Sequence, residues 1–432
     1  MRSAGYLITA LLFATSCSKG PQVDPPGRVL ILGIDGATLE IIEPMIAEGK
    51  LPNLEALTRS GTWGPLRSLK PMLSPRIWTT VATGKSPDRH GVTGWATGQG
   101  EEQRIMNSHD RTVHALWNIA SDAGLSVGTV NWLMTYPPEP IRGVMISDLA
   151  MPKAVQGREG LIGILTSGND VSVPSGPTTY PVSWAESVAQ IATEDRAPLT
   201  TISDPFQNDR IPKKARLLSD GAYRKDEELA RVALDVEEQV RPDLMMVLLQ
   251  GVDRTSHWLW AGLVSPEIYD PEVRFSEEER EASREVLFTY YEYTDQLIGR
   301  LLEGYGEDDL VIVLSDHGFE GGSTGFFRMS GIHETEEAQD GVVFVRGPGI
   351  PAGKKLKPGR LSVLDITPTV LSWLGLPLAQ DMEGRRAKFL RGSSQGSKIP
   401  TYETRTIPRM PLVESGAEGD VMDELRAIGY VK

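Results

Sequence analysis

Unbroken apolar runs recur along this chain, each closed by a small or polar residue, and they predict strands buried on both faces. Val29 to Gly33, Leu125 to Val130, Val144 to Ser147, Leu244 to Leu249, Leu310 to Leu314 and Val342 to Val345 are such runs. Between them apolar positions fall at helical spacing, at Leu39 to Glu48, Leu54 to Arg59, Glu227 to Val240 and Glu281 to Leu302. Ser74 to Gly84 carries start and stop signals of its own: serine at the N-cap, proline at the first helical position, glycine at the end. Leu361 to Leu374 reads as a packing helix, with Asp365 as a cap near Pro368 and no chemistry. Strand alternating with helix predicts an α/β fold with a doubly wound, largely parallel central sheet and helices on both faces. From about Pro152 to Leu218 the pattern loosens into Gly, Pro, Ser and Thr. That stretch reads as a cap insertion (151–220) within a catalytic domain of 28–390, followed by a C-terminal extension, 391–432.

In an open parallel sheet every strand's carboxyl end faces one edge, where ligands bind. Asp35, Asp253 and Asp316 each follow a different predicted strand and would gather there. Three carboxylates at one place repel and raise one another's pKa unless cations join them. Two divalent ions would leave a net charge of about +1, which attracts a phosphate, and ionising Ser74 would bring the sum near zero. Of the six histidines, His257 stands one helical turn from Asp253, His317 follows Asp316, and His333 lies in a polar loop downstream. Asp oxygen and His nitrogen both suit zinc. Each piece also has a plain reading. Ser315-Asp316-His317-Gly318 is good turn chemistry, Asp253 and His257 are a helix-surface pair, His333 is a loop histidine, and Ser74 caps a helix. A serine at a helix N-terminus also lies where an anion would dock.

Composition narrows the partners. The 432 residues are 40% apolar and 24% charged, ordinary for a globular protein, and the net charge of −14 argues against a nucleic-acid polymer as partner. It leaves a small phosphate ester open. Residues 1–17 read as a signal peptide: Arg2, then an uncharged stretch from Ala4 to Ser16, then Cys17, the chain's one cysteine. The ending Phe13-Ala14-Thr15-Ser16-Cys17 is similar to a bacterial lipobox, so lipidation at Cys17 would anchor an exported chain at the periplasmic or extracellular face of the cell envelope. An ordinary signal peptide with an incidental cysteine is the alternative. Residues 18–27 read as a proline-rich tether, and one cysteine allows no intrachain disulfide.

Five motifs together resemble a known family. Val29 to Gly36, Ser74 to Gly84 with Ser86-Pro87-x-x-His90-Gly91, Asp253-x-x-x-His257, Ser315 to Gly318, and Gly331-x-His333 occur here in family order. It is the order of the type I phosphodiesterase/nucleotide pyrophosphatase branch of the alkaline phosphatase superfamily. The resemblance runs from about Val29 to Arg385 and includes Tyr136-Pro137-Pro138 and Asp365 to Thr369. It implies an alkaline phosphatase-like fold and a phosphoric ester hydrolase that cleaves mono- or diesters through a phosphoseryl intermediate at a two-zinc site. By the same resemblance Asp253, His257 and His333 would hold one zinc; Asp35, Asp316, His317 and the hydroxyl of Ser74, the nucleophile, would surround the other. The branch continues His-Gly-x-x-Asp-Asn, its Asn contacting a phosphate oxygen, whereas here the run is His90-Gly91-Val92-Thr93-Gly94-Trp95. The Trp95 indole N–H, Arg76 and Asn131 are alternative donors. A sulfatase shares the fold, but its nucleophile motif spaces Pro and Arg differently from Ser74-Pro75-Arg76. A phosphotransferase or phosphomutase of the superfamily, and a catalytically silent binding lipoprotein on the same scaffold, are the competing readings.

Overall fold

Residues 25–99, 103–151, 176–194, 196–271, 274–322, 329–391 and 397–413 are described in a computed structural model. The leader with Cys17, most of the tether and residues 152–175 of the expected insertion lie outside the described residues. So do residues 392–396 and 414–432 of the C-terminal extension.

The structure forms one sheet of β1 (Val29–Ile34), β2 (Thr62–Arg67), β3 (Val127–Val130), β4 (Gly143–Ile146), β5 (Thr179–Tyr180), β6 (Leu244–Leu249), β7 (Leu310–Leu314), β8 (Asp340–Arg346) and β9 (Lys354–Lys355). The six expected runs supply β1, β3, β4, β6, β7 and β8, whereas β2, β5 and β9 carry no unbroken apolar run and lie outside that expectation. Their order is β9-β2-β8-β7-β1-β6-β3-β4-β5. The centre, β7-β1-β6-β3-β4, is parallel throughout, while β8 and β5 run antiparallel to their inner neighbours. Register is tight: Ile34 lies beside Leu249 and Gly33 beside Leu314, so β1, β6 and β7 end level with one another.

The helices are α1 (Leu39–Ala47), α2 (Pro52–Ser60), α3 (Ser74–Thr83), α4 (Leu116–Asp122), α5 (Trp184–Thr193), α6 (Lys213–Val240), α7 (Gly251–Leu259), α8 (Glu277–Leu302) and α9 (Ile366–Trp373). Both faces of the central strands are covered, which is why their sequences show no polar alternation. Leu30, Leu32, Val247, Leu249, Val311 and Val313 pack with Leu229, Val236, Tyr290 and Leu297 of α6 and α8. Ile31, Met246, Leu248, Ile312 and Leu314 pack with Trp78, Val81, Leu116 and Leu371 of α3, α4 and α9. The fold is thus the expected doubly wound α/β sheet with helices on both faces.

The helix expected from Glu227 begins at Lys213 instead. Ser219, Asp220 and Gly221 are weak helix formers, so the sequence pattern fades before the helix does. The described part of the 151–220 stretch extends the sheet through β5, which pairs with β4, and contributes α5, which packs on α6. Past α9, Lys398–Ile399 pairs with Leu378–Ala379, and the Glu403 carboxylate receives Lys85 Nζ (3.1 Å) and the His114 ring nitrogen Nδ1 (2.6 Å). Among the described residues no helix is long and apolar enough to cross a membrane.

Candidate metal and nucleophile site

The level strand ends bring the expected residues to one edge. Asp35 follows β1, and its backbone N–H donates to Leu249 O at 2.9 Å, which ties the β1 exit to β6. Gly36 comes next at φ +72°, a left-handed conformation that glycine adopts without strain. A Cβ there would meet the Phe319 ring at 2.6 Å and Asp253 Cα at 3.0 Å, so only glycine lets β1's exit pass this close to α7. The Gly36 N–H donates to Asp316 Oδ1 at 3.3 Å. After β7, Ser315, Asp316 and His317 are all fully buried.

Ser74 reaches the same place from α3. It is the first residue of the helix rather than its cap, which is Leu73, and no side chain caps this end. The hydroxyl instead donates to Asp35 Oδ1 at 3.4 Å. One turn along the same face, the Trp78 indole N–H donates to Asp35 Oδ2 at 3.2 Å. Trp78 was legible in principle, being at i+4 from Ser74, but a tryptophan in an amphipathic helix reads first as core.

The imidazoles surround these carboxylates. His317 Nε2 lies 3.6 Å from Asp35 Oδ1 and 3.4 Å from Asp316 Oδ2. His257 Nε2 lies 3.5 Å, and His333 Nε2 4.0 Å, from Asp253 Oδ1. The ring nitrogens away from the centre are held by carbonyls: His257 Nδ1 by Gly331 O at 2.9 Å, and His317 Nδ1 by Gly318 O at 3.0 Å. A proton on Nδ1 would satisfy each carbonyl and leave the Nε2 lone pair facing inward, as a metal ligand requires. His317 stacks on His333 with centroids 3.9 Å apart, and the Phe319 ring packs against all three histidines at 5.0–5.8 Å. Trp260 backs Phe319 at 5.3 Å and adds an apolar wall on that side.

The electrostatics fit a cation. Burial, then the charges of Asp316 and Asp253, pushes the Asp35 carboxyl well above the usual carboxylate range. Burial raises Asp316 also, against the opposing influence of His317. Burial, then His317 and His257, drives His333 well below its usual value. Three buried polar atoms that face this cluster, Asp316 Oδ2, Asp253 Oδ1 and His317 Nε2, have no hydrogen-bond partner among the described residues. A buried polar atom without a partner costs roughly 1–3 kcal/mol, which a bound divalent ion would relieve. Ligand atoms of Asp35, Asp316 and His317 lie within 4.8 Å of one another, and so do those of Asp253, His317 and His333. His317 therefore sits where the two sets meet, and His257 joins through Asp253.

The three alternative phosphate donors are placed unequally. Both amide protons of Asn131 are committed, to Leu248 O at 2.9 Å and Gln250 Oε1 at 3.4 Å. Arg76 donates one N–H to Lys70 O at 3.2 Å. Trp95 packs against Val92, Met106 and Met134.

Known proteins resemble this chain in fold and, over part of it, in sequence. A curated sulfatase of Formosa agariphila is 29% identical over 119 residues, which are 26% of this chain and only 23% of that protein. The chain thus spans about a quarter of that relative. A solved structure of a 2-O GAG sulfatase aligns over 87% of this chain and 76% of its own at 14% identity, with a TM-score of 0.52. That likeness speaks for the fold. A phosphonoacetate hydrolase of Sinorhizobium meliloti, in complex with phosphonoformate, aligns over 70% of this chain and 58% of its own, at 17% identity and a TM-score of 0.41. The family model for type I phosphodiesterase / nucleotide pyrophosphatase matches residues 29–361, a span that includes Asp35, Ser74, Asp253, His257, Asp316, His317 and His333. The chain belongs to the type I phosphodiesterase/nucleotide pyrophosphatase family, a family of phosphoric ester hydrolases.

Proposed function

We propose that the protein is a metal-dependent hydrolase of phosphate mono- or diesters, acting through a phosphoserine at Ser74. The observation that carries this reading is the meeting of the Ser74 hydroxyl with Asp35 beside three unpartnered polar atoms. In this reading Asp253, His257 and His333 hold one divalent ion, most readily zinc. Asp35, Asp316 and His317 hold the other, beside Ser74. When bound, such ions supply positive charge that favours the ionised hydroxyl and the transferring phosphoryl group.

The chain's own groups do the rest. Asp35 accepts the hydroxyl's hydrogen bond and so aims Ser74 Oγ into the site. Attack by Oγ on phosphorus breaks the bond to the leaving oxygen, which takes up, by way of solvent, the proton the hydroxyl gives up. Attack by a water then breaks the Oγ–P bond, returns a proton to Oγ, and frees phosphate from a monoester or a phosphate monoester from a diester. Phe319 and Trp260 keep bulk water from one side of the cluster. Transfer to an acceptor other than water would use the same first step. The sulfatase reading is weaker, because Pro75 and Arg76 directly follow Ser74.

Zinc-reconstituted protein should turn over an aryl phosphate monoester or diester, and Ser74→Ala should lower that turnover at least ~10³-fold. Acid quench during turnover should trap phosphate on wild type and none on the variant. A Ser74→Ala protein as active as wild type would remove Ser74 from the chemistry. Export and anchoring through Cys17 belong to the same proposal: Cys17→Ala should move the activity from the membrane fraction to the soluble one.

A further inference from the structure

The two halves of the site are built differently. Asp35, Asp316 and His317 stand at the ends of central strands, whereas His257 and His333 depend on a small hairpin outside the sheet. That hairpin pairs Glu320–Gly321 with Gly331–Ile332, Glu320 lying opposite Ile332. It is pressed against α7. A Cβ on Gly331 would meet Ser256 O at 2.4 Å and Trp260 Cβ at 2.9 Å, the Ser330 N–H donates to His257 O at 2.8 Å, and Gly331 O holds His257 Nδ1 at 2.9 Å. The turn after Ile332 carries His333. The Glu320 side chain, only 9% exposed, fastens it. Its Oε1 accepts the backbone N–H groups of Glu334 (3.0 Å) and Thr335 (2.6 Å), and its Oε2 accepts the Thr335 hydroxyl.

We propose that Glu320 is a positioning residue for the Asp253/His257/His333 half of the centre, fixing His333 through the turn that follows it and His257 through the hairpin that contains it. The inference rests on the two-ion reading above. An ionised carboxylate is acceptor only, with lone pairs enough for three donors on two oxygens. That is the demand here. Gln would keep an oxygen for the two N–H groups but turn an NH₂ toward the Thr335 hydroxyl, which can reverse its own role. Ala would hand the N–H groups of Glu334 and Thr335, on the exposed side of the turn, and the Thr335 hydroxyl to water, and the turn would lose its tie to the hairpin. Groups that orient metal ligands in this way are typically worth 10–100-fold in metal affinity.

The test measures zinc binding to the full chain by competition with a chromophoric chelator, with total zinc counted by mass spectrometry. Wild type should bind two ions. Glu320→Ala should weaken one of them about 10–100-fold and leave the other within about threefold, and Glu320→Gln should fall between. Circular dichroism and the thermal midpoint of the metal-free proteins report folding, and Glu320→Gln carries the test if Glu320→Ala fails to fold. Two zincs held by both variants as tightly as by wild type would overturn the role of Glu320, and so would equal weakening of both ions. A wild-type chain that binds no zinc would instead overturn the two-ion reading itself.

Discussion

At the scale of single residues, two buried side chains have effects that can be separated from turnover. The Trp78 indole N–H is a direct partner of Asp35 Oδ2, and the ring is fully buried. Trp78→Phe keeps most of the packing and removes that one donor. It should destabilise the metal-free protein by about 1–3 kcal/mol, the cost of a buried acceptor left unpaired, as read from the denaturant midpoint. His90, buried against Thr80 Oγ1 at 3.0 Å, is pushed down to about 3 by burial first and then by the positive charge of Arg111. The unfolded imidazole protonates near its usual 6.5. Its contribution to stability is therefore complete above pH 6.5 and is lost as the pH falls toward 3, because only the unfolded state takes up the proton in that window. Between pH 7 and pH 5 the wild type should lose about 2 kcal/mol more than His90→Gln. Equal losses in denaturant titrations at the two pH values would show that His90 does not carry the effect.

At the scale of elements, the site depends on how strand exits, helix starts and one hairpin meet. β1, β6 and β7 bring their carboxylates together because their registers end level. α3 brings Ser74 because its first turn is left without a side-chain cap, which keeps the hydroxyl available. The C-terminal segment is fastened separately, by Lys85 (2% exposed) with Nζ at 2.7 Å from Asp381 and 3.1 Å from Glu403. His114 and Lys85 outweigh burial at Glu403 and hold its carboxyl at about 2. Lys85→Met should cost about 1–3 kcal/mol, below the full price of breaking a buried pair because both carboxylates are about a quarter exposed. The expected signature is a lower thermal midpoint with unchanged zinc stoichiometry. Loss of zinc along with stability would show that this clasp also supports the metal centre.

At the scale of the whole molecule, the core and the site oppose each other. Both sheet faces are apolar, and the edge between them collects three carboxylates, of which burial drives the pKa values of Asp35 and Asp316 upward. A ligand bound only by the folded state adds stability in proportion to RT ln(1 + [L]/Kd). Removal of metal with a chelator should therefore abolish turnover and lower the thermal midpoint by several degrees, and added zinc should restore both. Full activity in the presence of excess chelator would contradict the metal-dependent reading.

Most of this arrangement is legible in the chain itself, and the reasons differ by residue. Val29 to Gly33, Leu244 to Leu249 and Leu310 to Leu314 announce buried parallel strands, because a strand covered on both faces has no polar side to show. Once three such strands are parallel, Asp35, Asp253 and Asp316 must share an edge. His257 and His317 follow from spacing to those carboxylates. The start of α6 at Lys213 is hidden, because Gly221 and its polar neighbours weaken the helical pattern while tertiary packing still supports the helix. Phe319 and Glu320 are hidden for another reason. A phenylalanine and a glutamate after Asp316-His317-Gly318 carry no local signal, and their roles exist only once the hairpin folds onto α7. Local pattern thus determined the central strands, their ligand edge and the types of group gathered there, but not the outer strands Thr62–Arg67, Thr179–Tyr180 and Lys354–Lys355. Which atoms face one another, which imidazole nitrogen points inward and which carbonyl holds it were decided by long-range packing, which no spacing along a chain encodes.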